Sequence, residues 1–421
     1  MRLNVTSEIG RLKSVLVHLP GREIDQMIPP MMAQLLFDDI LYGQVAREEH
    51  RRFQQLIRFI ADEVFDLQDL LEEVFENDEL KDRIVRDIAK RNGLHRGLVT
   101  RLHELRPGAL AEVLIAGIAR ETGSGDLPEF ELFPIPNLFF MRDPQVVLGD
   151  RVVISSMATQ ARRRESLLSK YVFDHHPHFR DVVPWVDFMA TEPERPMSRR
   201  TPTMEGGDVL VPRRDLLLVG ITERTNKAGV EALIRGLKAQ KSGVETVIIV
   251  DIPRQRSFMH LDTIFTFVNR HECLIYPPVI LPSGSQAAKI TSVDLSKKKS
   301  VAYSEQKSLL GALKKQGFDL EPIYCGGKRA VDQQREQWTD GANAFALAPG
   351  IILLYERNVR TAEELAQHGY HIVYEDDLLL GRTELETWTN KKYALQIAGN
   401  ELSRARGGPR CMTMPLEREE L

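Results

Sequence analysis

Apolar residues come in short paired runs, each pair split by a turn. Val146-Val147-Leu148 and Val152-Val153-Ile154 flank Gly149-Asp150, and Val209-Leu210-Val211 precedes Leu216-Leu217-Leu218-Val219. Ile264-Phe265-Thr266-Phe267-Val268 precedes Cys273-Leu274-Ile275-Tyr276. In a fourth pair, Ala342-Asn343-Ala344-Phe345-Ala346-Leu347 and Ile351-Ile352-Leu353-Leu354-Tyr355 flank Ala348-Pro349-Gly350. Short apolar runs joined by turn residues predict β-hairpins. Ser14-Val15-Leu16-Val17-His18-Leu19-Pro20 predicts a further strand, because His18 and Pro20 interrupt it too early for a signal peptide. Helical periodicity follows several pairs, as over 227–241, where Val230, Leu233, Ile234 and Leu237 share a face. The spacing predicts a pseudo-symmetric α/β fold in which each unit delivers polar residues, from the start of its first strand, to a shared centre. One stretch breaks the rhythm. From 72 to 120 the pattern is helical, with Leu80, Ile84 and Ile88 on one face and Leu94, Leu98, Leu102 and Leu105 on another. Pro107-Gly108 interrupts it and Gly123-Ser124-Gly125 closes it, which predicts a helical insertion over 72–123.

Composition narrows the function classes. Of 421 residues, 43% are hydrophobic and 28% charged, as in soluble globular proteins. A net charge of -4 gives no reason to expect nucleic acid or an anionic membrane as partner. No apolar run approaches the length that spans a bilayer, so a cytoplasmic protein is expected. Cys273, Cys325 and Cys411 form no C-x-x-C pair, and their odd number argues against a disulfide framework and for a reducing compartment.

Candidate chemistry concentrates beside the predicted strands. Cys411 lies in Arg406-Gly407-Gly408-Pro409-Arg410-Cys411-Met412-Thr413-Met414-Pro415. Glycines there allow close backbone approach to a ligand, and guanidinium neighbours predict a lowered thiol pKa. Asp143 precedes Pro144, Glu205-Gly206-Gly207-Asp208 leads into the second pair, and His260-Leu261-Asp262 into the third. A cysteine with a distant histidine and carboxylates is the pattern of a cysteine-nucleophile enzyme. Each residue also has an ordinary reading. Asp before Pro forms turns, Glu-Gly-Gly-Asp is a common loop, and a free cysteine is usually a small buried hydrophobe. His260 and Asp262 have metal-ligand chemistry, but no second histidine at i+4 completes a zinc set. No phosphate-binding glycine motif is present.

Taken in order, these runs resemble the arginine deiminase family of guanidine-modifying enzymes over nearly the whole chain. Leu36-Phe37-Asp38-Asp39-Ile40 with Glu49-His50, Asn137-Leu138-Phe139-Phe140-Met141-Arg142-Asp143, Glu205-Gly206-Gly207-Asp208, His260-Leu261-Asp262-Thr263, Asp340-Gly341-Ala342-Asn343 and the run ending in Cys411 carry the likeness. Ala405, Met141, Pro144 and Thr413 depart from the family pattern. Of these, Ala405 stands where the family has Gly and bears most on substrate preference and rate, its Cβ either restricting a substrate loop or excluding a positive φ there.

The resemblance implies a pentein-like, five-fold pseudo-symmetric α/β propeller in one catalytic domain over 1–421, with the helical bundle inserted after the first unit. It also implies hydrolysis of L-arginine to L-citrulline and ammonia without a cofactor, and a homo-oligomer. Cys411 is the implied nucleophile and His260 the proton carrier, with Glu205 as its hydrogen-bond partner; Asp143 and Asp262 hold the guanidinium. Asn137 and Phe140 line the substrate stem, Arg162 and Arg224 bind its carboxylate, and Arg406 closes the site. Asp208 reads as a structural partner of its loop. For Arg162-Arg163-Arg164, a solvated helix face stands as the alternative. The rival functions are an agmatine-type deiminase, an amidinotransferase and a non-catalytic arginine-binding homologue.

Overall fold

The computed structural model describes residues 2–120, 129–179, 181–190, 201–297, 301–387 and 389–421. Its strands fall into units of one connectivity, an antiparallel hairpin whose second strand takes a parallel third. Gln145–Leu148, Arg151–Ile154 and Val186–Asp187 form one. Val209–Arg213, Leu216–Ile221 and Thr246–Asp251 form the next. Phe265–Asn269, Glu272–Ile275 and Glu321–Tyr324 follow, then Phe345–Ala348, Ile351–Tyr355 and Lys392–Ile397. The remaining unit joins distant segments: Met414–Arg418 pairs antiparallel with Leu12–Val17, and Glu63–Asp66 adds in parallel. Lys289–Asp294 and Ala302–Gln306 widen the second of these sheets, and Tyr370–Tyr374 widens the fourth.

Local chemistry accounts for the boundaries. Gly149 and Gly350 adopt φ of 62° and 78° at hairpin turns, where a left-handed residue is needed. Leu216–Ile221 is buried along its whole length, which is why it reads as a continuous apolar run. Helix Lys227–Ala239 begins where the Asn226 side chain accepts from Gly229 N. The expected strand over 342–347 starts only at Phe345 and runs to Ala348, because Asn343 is used in hydrogen bonds outside the sheet.

The helical segment differs from its predicted bounds. Asp66 caps Gln68 N at 2.9 Å and starts the first helix at Leu67, upstream of residue 72. Helices Leu67–Phe75, Asp78–Asn92, Arg96–Glu104 and Pro107–Ala116 follow one another. Gly117, at φ 77°, ends the last, and Ile118–Ala119 pairs with Phe130–Leu132 as a short ribbon. The predicted close at Gly123-Ser124-Gly125 lies outside the described residues. The helices share a core with the units beginning at Gln145 and Val209, through Leu71, Phe75, Leu114, Leu168, Val211 and Leu233. Among the described residues, no helix is long and apolar enough to cross a membrane.

Candidate active site

The first strand of each unit is preceded by a polar or thiol side chain: Asp143, Asp208, Asp262, Asn343 and Cys411. Backbone contacts draw these strand starts together. Arg142 N donates to Cys411 O at 2.9 Å, and Gly206 N to Asp143 O at 3.0 Å. Asn343 fastens two more, since its Oδ1 accepts from Cys411 N at 3.0 Å and its Nδ2 donates to Asp262 O at 3.1 Å. Asp208 accepts from Leu261 N and from Thr222 Oγ1, both at 2.8 Å, and so fixes the backbone between His260 and Asp262. Asp208 is therefore a support of the loop, as expected.

His260 is buried, and its Nε2 donates to Glu205 Oε2 at 2.8 Å, while its Nδ1 lies 3.7 Å from Asp143 Oδ1. Burial alone would favour the neutral ring. The charge of Asp143 and the Glu205 hydrogen bond outweigh it, with Asp208 and Glu205 charge adding, and push the pKa up to about 10. Glu205 is itself held well below the usual carboxylate range: burial opposes this, but the His260 hydrogen bond and the charges of Arg162 and Arg224 prevail.

Cys411 Sγ lies 3.9 Å from Asp262 Oδ2. The thiol is pushed well above its ordinary value, by burial first and then by the charges of Asp262, Asp143 and Asp340. This corrects the sequence reading that guanidinium neighbours would lower it. Arg410, next in the chain, turns away and binds Asp262 Oδ2 at 2.8 Å, both oxygens of Glu8 at 3.1 and 3.2 Å, and Val209 O at 3.0 Å.

Arg162 also departs from its expected role. Its fork takes Glu165 at 3.0 and 2.8 Å, and its Nη1 bridges Asp143 at 3.0 Å and Glu205 at 3.4 Å. Three protein carboxylates occupy the side chain that was expected to hold a substrate carboxylate. Arg163 and Arg164 do not replace it, since Arg163 reaches Met189 Sδ and Arg164 the carbonyl of Phe133. All three are buried, so the solvated-face alternative is wrong as well.

Several buried atoms have no hydrogen-bond partner among the described residues: Asp143 Oδ1, Asp262 Oδ1, both oxygens of Asp340, and Nε and Nη1 of Arg224 and of Arg406. Native proteins rarely leave such groups unpaired, and here they form complementary sets of acceptors and cationic donors. Arg224 otherwise touches Met259 Sδ at 3.5 Å. Arg406 has φ 66° and stacks on Trp338, 3.5 Å from the ring centroid. Ala405 sits in the short helical turn Leu402–Ala405, outside the left-handed region, so its Cβ strains nothing and the left-handed residue is Arg406. Phe140 packs on Gly407, where an added Cβ would come within 2.2 Å of the ring. Asn137 Nδ2 donates to Leu35 O at 2.8 Å.

Glu8, Glu165, Arg410 and Asn343 were not among the expected site residues. The Arg162-to-Glu165 spacing of three on a helix was a usable signal; nothing near Glu8 marks it. Among the described residues, Asp143, Glu205 and His260 offer ligand atoms within 4.8 Å of one another, close enough to share a metal. The guanidinium of Arg162 already bridges its two carboxylates, so the set's negative charge is met by a resident cation.

In fold, the chain is similar to an amidinotransferase from Microseira wollei (TM-score 0.54, 13% identical, covering all of this chain and 98% of the other). It is also similar to the N-terminal domain of ArgZ covalently bound to a reaction intermediate (TM-score 0.51, 15% identical, covering 96% and 98%). With the dimethylarginine dimethylaminohydrolase adduct at TM-score 0.50 (14% identical, covering 96% and 99%), these show an α/β fold shared with these neighbours. In sequence, it is 36% identical to the arginine deiminase of Clostridium perfringens over 441 aligned positions (100% of this chain, 98% of the other). It is 33% identical to that of Bacillus cereus strain B4264 over 439 positions (100% and 99%). The family model described as Arginine deiminase matches residues 33–418. This chain belongs to the arginine deiminase family.

Proposed function

We propose that the protein hydrolyses the guanidinium group of L-arginine, giving L-citrulline and ammonia. The carrying observation is the set of unpaired buried acceptors, Asp143 Oδ1 and Asp262 Oδ1, on two strand starts beside Cys411. A planar cation with several N–H groups satisfies both at once. The unpaired donors of Arg224 and Arg406 suit the carboxylate of the same molecule, so that of the two arginines expected to bind it, Arg224 and not Arg162 does so.

With the cation bound between the aspartates, the charge that held Cys411 as a thiol is offset, and its proton leaves to solvent. The thiolate attacks the central guanidinium carbon, forming a C–S bond and a neutral tetrahedral adduct. His260 protonates one nitrogen from Nδ1, and ammonia departs as the C–N bond breaks. The product is a cationic S-alkylthiouronium, with His260 neutral. Water then adds to the same carbon while His260 takes its proton. Collapse forms the C=O of citrulline, breaks C–S, and leaves the last hydroxyl proton on the sulfur. Glu205 holds the ring and stabilises its charged form throughout.

The five units are taken as blades of one closed pseudo-symmetric propeller spanning 1–421, with the helices of 67–116 as an insertion. What supports it is the shared connectivity and the convergence of the strand starts. A cytoplasmic homo-oligomer completes the proposal, and light scattering on the purified chain tests the assembly.

Purified protein given arginine should release citrulline and ammonia in equal amounts, and Cys411→Ala should release neither. A folded wild-type sample that forms no citrulline, or forms a guanidine product with an added amine, sinks the reading.

A further inference from the structure

One cavity lies at the far end of the strands that carry the catalytic residues. Val209–Arg213 and Phe265–Asn269 begin beside Asp208 and Asp262 and end at the turns containing Arg214 and Arg270. At roughly 3.3 Å per residue, such strands separate their two ends by about 15 Å. These turns, residues 6–9 and Gly317-Phe318 enclose a cavity of about 430 Å³. Its apolar wall is Phe267 and Phe318, whose rings meet edge to face with centroids 6.0 Å apart. Arg213 is engaged by Asp215 and by Gln316 O. Arg214 and Arg270 line the cavity, are exposed, and have no side-chain ion pair or hydrogen bond among the described residues.

Of the two acidic side chains on the lining, Glu420 is exposed at the rim. The other, Glu8, is consumed, since it accepts from Val211 N at 2.8 Å and pairs with Arg410 through both oxygens. Arg410 in turn holds Asp262, the carboxylate beside Cys411. One guanidinium therefore separates the cavity wall from the proposed catalytic centre.

Unpaired cations above an aromatic wall select an anionic head on a flat apolar body. We infer that this cavity is a second ligand site for a small amphipathic anion, a carboxylate or phosphate on an aromatic body, sensed at Asp262 through Glu8 and Arg410. An anion there adds negative charge beside Glu8, draws Arg410 toward the cavity and leaves Asp262 more available to a cation in the catalytic centre.

The test is calorimetric titration of the full chain with phenyl phosphate and with benzoate, using inorganic phosphate as a head-only and benzyl alcohol as a body-only control. Saturable binding of an aromatic anion is expected, about tenfold or more tighter than either control. Whichever anion binds identifies the head group. Arg214→Glu with Arg270→Glu should weaken binding about tenfold or more, with arginine turnover unchanged because both side chains are exposed and remote. No saturable binding of either aromatic anion, or binding indifferent to the double substitution, overturns the site. For the coupling, the bound anion should lower the KM for arginine about fivefold. By reciprocity, arginine should tighten anion binding to the Cys411→Ala chain by a similar factor. Binding without either effect overturns the relay. The calorimetric arms need no arginine chemistry, so this proposal and the proposed function fail separately.

Discussion

Glu205 and Arg162 divide the electrostatic work at the proposed centre differently from the sequence expectation. Glu205 raises the His260 pKa through the 2.8 Å hydrogen bond, so the protonated ring persists well above the range of free imidazole. Glu205→Gln removes that charge, and the alkaline limb of kcat/KM should move to lower pH by about one unit or more. A pH–rate profile that keeps its limb in the variant rules this role out. Arg162 and Arg224 separate by substrate. Arg224→Ala should raise KM for arginine while leaving agmatine, which lacks the carboxylate, nearly unaffected. Arg162→Ala should lower turnover of both and destabilise the fold by about 3–5 kcal/mol, because it strands Asp143, Glu165 and Glu205 without their cation. Steady-state kinetics with both substrates, alongside urea unfolding, check the pair; an Arg162 effect confined to the arginine KM would return it to carboxylate binding.

The Gly206–Asp208 turn does more than connect strands. An added Cβ on Gly207 would lie 2.8 Å from the His260 ring and 3.1 Å from Asp143 Oδ1, so only glycine lets the imidazole settle here. Gly207→Ala should displace the ring and lower kcat about a hundredfold, with the fold retained, since the neighbours that must move are side chains. Kinetics with circular dichroism test this, and unchanged kcat would free Gly207 from the role. Its neighbours show what could be read in advance. Hairpins such as Leu216–Ile221 with its partner were legible because both strands lie within a few residues and their apolar runs are unbroken. The unit made of Leu12–Val17 and Met414–Arg418 was not, because its pairing joins the two ends of the chain and leaves no local trace. Lys289–Asp294 and Ala302–Gln306 were missed for another reason: the latter is exposed in four of its five residues and carries almost no apolar signal. Candidate residues were readable where a motif held them, as with His260 and Asp262. Glu8 and the true partners of Arg162 depend on contacts that only the packed units create.

Beside the unit that joins the two ends of the chain, two buried histidines titrate in opposite directions. His18 follows Leu12–Val17, and Asp66 ends the paired strand. Burial would lower the His18 pKa, but the hydrogen bond to Asp66 and the Glu23 carboxylate 3.5 Å away push it up to about 10. His50, buried in helix Gly43–Ile57, goes the other way. Burial lowers it to about 3, since the distant charge of Asp66 only partly opposes, and His18 adds repulsion. The signs follow from linkage. His18 is raised above its unfolded value of about 6.5, so its contribution is complete below that pH and is lost as pH rises toward 10. His50 is depressed, so its contribution is complete above about 6.5 and is lost as pH falls toward 3. Between those limits the unfolded chain takes up a proton at residue 50 that the folded chain refuses, at about 1.4 kcal/mol per pH unit. His50→Gln removes that uptake and leaves the His18 pair in place. Unfolding free energies of the two chains, measured in urea from pH 7 to pH 5, should therefore converge as pH falls, with the variant gaining on the wild type by about 2 kcal/mol. A difference constant across that range would mean that His50 titrates alike in both states. The acid sensitivity of the fold would then have to come from the paired carboxylates, Glu8 and Asp66, whose pKa values are lowered by their cationic partners and whose protonation removes those pairs.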